Sequence, residues 1–143
     1  MAIVGFTFTK MFAQRNKVPK GNIKINHSLN VNDVKEQEIV VEKGKKIVDF
    51  IFEFKVDYSP NVAEMNIVGK VHYMDEEKKI KEIVREWGKN KHVDPKIMTP
   101  VINTAFHKSL LKALVLSEDI NVPPVLPLPQ VSPKKNKAED YIG

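Results

Sequence analysis

The stretch from residue 49 to residue 58 constrains the fold more than any other part of this sequence. Its odd positions carry mostly charged side chains, and its even positions carry only aromatic or β-branched ones. That apolar set is Phe50, Phe52, Phe54, Val56 and Tyr58. A period of two predicts a β-strand with one buried face and one solvated face. Such a strand needs neighbouring strands, and it needs a covering layer over its aromatic face.

Three further segments before residue 75 also alternate, around residues 4–8, 23–31 and 63–73. The links between them hold turn-forming residues, among them Pro19, Gly21 and Gly44, and the sequence SPN at 59–61. Short links allow consecutive strands to pair antiparallel. We therefore predict a four-stranded antiparallel meander sheet.

Two helices are predicted after the strands. The first carries one apolar stripe, begins after a cap at Asp75 and stops at Gly88. The second has start signals at Asp94 and Pro95, although Pro100 is expected to reset its start. Its apolar residues between 101 and 117 cover more than one side. The predicted class is α+β, a single domain over 1–131 with an extended Pro-rich C-terminal segment, and residues 132–143 are a polar tail.

Composition and spacing disfavour several functional classes. The chain has no cysteine, which removes disulfides, Cys-ligated zinc and thiol catalysis. The four histidines are far apart in sequence, so we expect no metal, no cofactor and no enzyme activity. No apolar run is long enough for a membrane span, and no signal peptide is apparent. These observations favour a soluble, cytoplasmic protein.

Basic residues cluster early in a chain of net charge +5. A run of five cations with no intervening acid can bind nucleic acid by releasing counterions. The alternative explanation is a solvated strand and loop, because no RNA-binding or helix-turn-helix motif accompanies the run. The candidate nucleic-acid patch is Lys10, Arg15, Lys17, Lys20 and Lys24.

The segments on either side of the second helix resemble the SecB chaperone family. PKIMTP at 95–100 is similar to the family's entry to its long helix, and VPPVLPLP at 122–129 is similar to its exit. The order of elements also matches. The chain departs from the family in its basic charge and in its SPKKNKAEDYIG ending, so a contact with the export motor is not carried over.

The resemblance implies an ATP-independent holdase that assembles into dimers or tetramers and binds non-native polypeptides, including preproteins, in apolar grooves. The surplus apolar surface of the second helix independently predicts homo-oligomerisation. A scaffold with one dedicated partner is a further alternative. Each candidate groove residue could instead be core or subunit interface. The candidates are Phe6, Phe8, Phe12, Phe106, Leu110, Leu114, Val125 and Leu126.

Overall fold

A computed structural model describes residues 2–39, 43–131 and 133. Four strands precede two helices, so the predicted α+β class is confirmed. The predicted tail at 132–143 lies outside the described residues except for position 133. The elements are β1 (Ala2–Arg15), β2 (Lys24–Glu36), β3 (Lys45–Ser59), β4 (Ala63–Glu76), α1 (Glu77–Asn90) and α2 (Pro95–Asp119).

The four strands form one antiparallel sheet in the order β1-β4-β3-β2. The meander prediction holds for β2, β3 and β4, but it is wrong for β1, which pairs with β4 instead of β2. The connection of residues 16–23 permits this order, because roughly 26 Å of extended chain exceeds the ~14 Å of three strand spacings. The connection is fixed to the β3–β4 turn by Asn16, whose N–H donates to the Val62 carbonyl at 2.7 Å.

The predicted alternation in β3 matches the observed burial. Its aromatic face is fully buried, while Lys55 and Asp57 on the other face are exposed. At the centre of this buried face, Gly69 of β4 pairs with Phe52 of β3 and with Phe8 of β1. A Cβ atom at Gly69 would lie 2.7 Å from both the Phe52 ring and the Thr7 carbonyl oxygen. Glycine therefore makes room for the Phe52 ring within the sheet.

Both helices cover this aromatic face. Asp94 caps α2 by accepting a hydrogen bond from the Lys96 N–H at 3.0 Å. The helix then continues through Pro100, so the expected restart there is wrong. Pro100 is exposed near the helix start, where the carbonyl that loses its partner can face water. Helix α1 also passes its expected stop at Gly88 and ends before Lys91, which adopts φ 54°.

Helix α2 packs on the sheet through a single row of residues spaced four apart. Four of its six members are alanine or serine. These small side chains let the helix axis approach the sheet closely. Residues four apart in a helix of 3.6 residues per turn form a row that is slightly inclined to the helix axis. Such rows are one of the standard ridges by which helices pack. The row is Ile97, Val101, Ala105, Ser109, Ala113 and Ser117. No helix within the described ranges is long and apolar enough to cross a membrane.

Candidate polypeptide-binding surface

A second row on α2 runs beside the buried one and is entirely apolar. Its members are also four apart, so they lie along one side of the helix. Ile102 is 39% exposed and the others are half-buried. We call this set the α2 flank row; it comprises Met98, Ile102, Phe106, Leu110 and Leu114.

The α2 flank row faces strand β2. The Phe106 ring lies 5.5 Å from the His27 ring and 5.9 Å from the Phe54 ring, centroid to centroid. Leu110 of the row and Ile25 of β2 both pack against the same core cluster. Because β2 is an edge strand, its outer backbone groups have no neighbouring strand among the described residues. The α2 flank row and the helix-facing side of β2 therefore border one apolar strip of surface, which we call the β2 trough.

The outermost row of α2 adds exposed apolar surface above the trough. Leu111 is 64% exposed and Val115 is 52% exposed, one turn apart. Neither side chain contributes to the core of the domain. This is the surplus apolar surface that the sequence predicts for the second helix, and it continues from the rim of the β2 trough.

The structure unites only some of the predicted groove residues. Phe106, Leu110 and Leu114 share the α2 flank row. Phe6 and Phe8 lie on the other side of α2, on β1, where their rings are 4.7 Å apart and the Lys112 ammonium lies 5.7 Å from the Phe8 ring.

The other three predicted groove residues lie elsewhere. Phe12, 38% exposed, pairs with Asn66 on the sheet face away from the helices. Val125 is a buried core residue, and Leu126 is 37% exposed in the segment after α2. Sequence reasoning missed Ile102 and His27. The spacing of four between Ile102 and Phe106 was a usable signal for the former.

The five candidate basic residues are all exposed, but they are spread over two surfaces. Lys10 lies on the sheet face away from the helices, opposite Val68. Lys17 and Lys20 lie in the 16–23 connection, between Arg15 at the end of β1 and Lys24 at the start of β2. Four of the five cations therefore gather at one end of the sheet.

Two ionisable groups near these surfaces are shifted from their ordinary behaviour. A hydrogen bond from Asn66 lowers the pKa of Glu53, against an opposing effect of partial burial. Burial raises the pKa of Tyr58 to about 12, and its hydroxyl donates to the Pro123 carbonyl at 2.7 Å. Within the described part of the chain, no three His, Cys, Asp or Glu side chains gather as metal ligands would.

Comparison with known protein structures shows that this chain has a SecB-like fold. The SecB-like chaperone Rv1957 of Mycobacterium tuberculosis, solved in complex with a ChAD peptide from the Rv1956 HigA1 antitoxin, matches it with a TM-score of 0.58. The match covers 92% of this chain and 90% of that one at 11% sequence identity. No protein-family model and no curated protein matches the sequence.

Proposed function

We propose that this protein is an ATP-independent holdase of the cytoplasm that binds non-native polypeptides in the β2 trough of a homo-oligomer. The observation that carries the proposal is the α2 flank row. Five apolar residues stand in line beside an edge strand, and Ile102 and Leu114 of that row belong to neither core cluster. Apolar side chains in such a row that do not serve the core, as Ile102 and Leu114 do not, are available to another chain.

The shape of the trough suits an extended peptide. A strand added at β2 would pair its backbone with the free edge and direct alternate side chains towards the α2 flank row. Backbone pairing makes little demand on sequence, and apolar contact with half-buried leucine, methionine and phenylalanine adapts to many side chains. The peptide complex of the mycobacterial structure supports a polypeptide as the ligand class.

The proposal is tested by removing trough residues that the fold does not need. The Ile102→Ser/Leu114→Ser variant should keep its circular dichroism spectrum and thermal midpoint. Its affinity for a labelled, permanently unfolded protein should fall at least about tenfold, because two apolar contacts of ~1.5 kcal/mol or more are lost. Fluorescence anisotropy measures this dissociation constant.

A matched control loses as much apolar surface elsewhere. Val18 and Val131 are 62% and 70% exposed and lie outside α2 and the strands. The Val18→Ser/Val131→Ser variant should bind the unfolded protein as tightly as wild type. Equal affinity in all three proteins would sink the trough assignment. Binding of one folded protein and of no unfolded one would favour the dedicated-partner alternative.

Nucleic-acid binding remains the second candidate, because four cations gather at one end of the sheet. It predicts oligonucleotide affinity that falls steeply with salt, whereas capture in an apolar trough resists salt. In the Lys17→Glu/Lys20→Glu variant, oligonucleotide binding should disappear while unfolded-protein binding persists. Oligonucleotide affinity that is unchanged by this charge reversal would eliminate the basic end as its site.

A further inference from the structure

A polar network occupies the sheet face away from the helices. The Thr7 hydroxyl lies 2.8 Å from His72 Nε2, and His72 Nδ1 lies 2.6 Å from Asp49 Oδ1. The Gln37 amide donates to the same Asp49 oxygen at 2.8 Å. Thr7 and His72 are 65 positions apart, and His72 and Asp49 are 23 apart. Distance along the sequence therefore did not reveal that the fold brings His72 beside Asp49 and Thr7.

The fold builds this network from three strands and from Gln37, which directly follows β2. His72 stands on β4, between Asp49 on β3 and Gly5 on β1. A Cβ atom at Gly5 would lie 3.1 Å from His72 Cδ2, so the missing side chain leaves room for the imidazole across β1. Register shifts in β1 bracket residues 5–8, and Thr7 lies between them. Bulges of this kind re-aim side chains and are frequent beside active sites.

The hydrogen-bond chemistry fixes the role of each group. An ionised carboxylate only accepts, and in the neutral tautomer that carries its proton on Nδ1 the imidazole donates to Asp49. Nε2 then carries a lone pair and accepts the Thr7 O–H. Asp49 is only 8% exposed, and Gln37 holds its carboxylate in place. A hydroxyl, an imidazole and an orienting carboxylate in this order form the arrangement that activates hydroxyl nucleophiles.

We propose that Thr7 is a nucleophile that accepts acyl groups from small activated esters. Thr7 Oγ1 attacks the acyl carbon while its proton passes to His72 Nε2, and the alcohol leaving group departs with that proton. Water then attacks the acyl-threonine with His72 as base, which releases the carboxylic acid and restores the hydroxyl. Lys70 pairs with Thr7 in the register and is therefore a cation on the same face of the sheet.

The ligand class follows from exposure. Thr7 is exposed on an open sheet face, whereas its partners are largely covered. Such a hydroxyl is reachable by a small ester with a good leaving group. This reaction is independent of the β2 trough, which lies on the other side of the sheet.

The test is acylation by p-nitrophenyl acetate, quenched in acid, with the acetylated peptide located by mass spectrometry. Exposed histidines hydrolyse this ester without a threonine adduct, so the adduct is the decisive readout. We expect an acetyl group on the hydroxyl of residue 7 in the wild type and in Thr7→Ser. In Asp49→Asn the adduct should form at least about tenfold more slowly, since the amide no longer imposes the basic tautomer.

Thr9→Val is the matched control, because Thr9 lies on the same strand but its hydroxyl donates to the Val68 backbone carbonyl instead of to a histidine. It should be acetylated at Thr7 like the wild type. Absence of acetyl-Thr7 from folded wild-type protein, or equal rates in the wild type and in Asp49→Asn, would overturn the proposal. The Ile102→Ser/Leu114→Ser variant should still be acetylated, so failure of the holdase proposal is seen separately.

Discussion

The buried hydroxyl of Tyr58 ties the segment after α2 to the sheet. Its hydrogen bond to the Pro123 carbonyl is 2.7 Å long, beside Val122 and Val125 in the core. Replacing Tyr58 by Phe should cost about 1 kcal/mol of unfolding free energy, because the Pro123 carbonyl loses its donor. Urea unfolding at neutral pH measures this loss, and an unchanged midpoint would contradict it.

Alkaline pH should act through the same residue. Burial raises the pKa of Tyr58 from 10.0 to about 12. The folded state therefore favours the neutral phenol, and that stability is complete below pH 10 and is lost as pH rises through about 12. We expect the stability advantage of the wild type over Tyr58→Phe to shrink above pH 10. A constant difference in urea midpoints across that range would contradict the assignment.

Glu53 should make the protein sensitive to acid. Its pKa is lowered from 4.5, mainly because the Asn66 amide donates to its carboxylate at 2.9 Å. A lowered pKa contributes stability above pH 4.5 that is lost as pH falls through the folded value. Between neutral pH and acid below 4.5, Glu53→Gln should lose less unfolding free energy than wild type. Equal losses in chemical denaturation would exclude this contribution.

At the scale of elements, two glycines should respond in opposite directions to alanine. In β4, a methyl group at Gly69 collides with the Phe52 ring and with the Thr7 backbone oxygen, so Gly69→Ala should cost about 1–3 kcal/mol. In α1, nothing lies within 4 Å of a methyl group at Gly88, so Gly88→Ala should add about 0.5–1 kcal/mol. Urea unfolding of the two variants in parallel tests both signs, and a stabilised Gly69→Ala would disprove the close contact.

The periodicity of apolar residues predicted the strands, the helices and their buried faces, because each element buries one side against the layer between the sheet and the helices. The buried face of β3 follows directly from the alternation between Phe50 and Tyr58. The course of α2 through Pro100 did not follow, because a local preference against helix is overridden when the surrounding residues pack. The division of α2 into a buried row and the α2 flank row also depends on where the sheet lies, which the helix sequence alone does not state.

For the whole molecule, the exposed outer row of α2 predicts self-association. Leu111 and Val115 contribute nothing to the core, and covering them in a second subunit would remove apolar surface from water. If this row is the subunit contact, Leu111→Lys/Val115→Lys should sediment as a smaller species than wild type while staying folded. Sedimentation velocity measures the size of each species. An unchanged distribution of sedimentation coefficients in the variant would mean that the subunit contact lies elsewhere.

The strand order, and the side-chain contacts between strands that depend on it, could not be predicted from the sequence. The 16–23 connection is long enough for β1 to sit beside β2 or beside β4, so the link does not discriminate between a meander and the observed order. The network of Thr7, Asp49 and His72 depends on that choice. With β1 beside β2, Thr7 could not reach His72. In the sequence alone, the proposed nucleophile Thr7 is therefore an ordinary strand threonine.

The strand order also has a consequence for how the chain matures. β1 is made before the other three strands, yet β4, its partner among the described strands, is completed about sixty residues later. Throughout that interval Phe6 and Phe8 belong to a strand without its partner, and their apolar side chains are exposed. The pairing of β1 with β4 joins residues that are among the farthest apart in the sequence. Contacts so far apart form slowly. During its own synthesis, this chain presents the kind of exposed apolar segment that its β2 trough is proposed to hold.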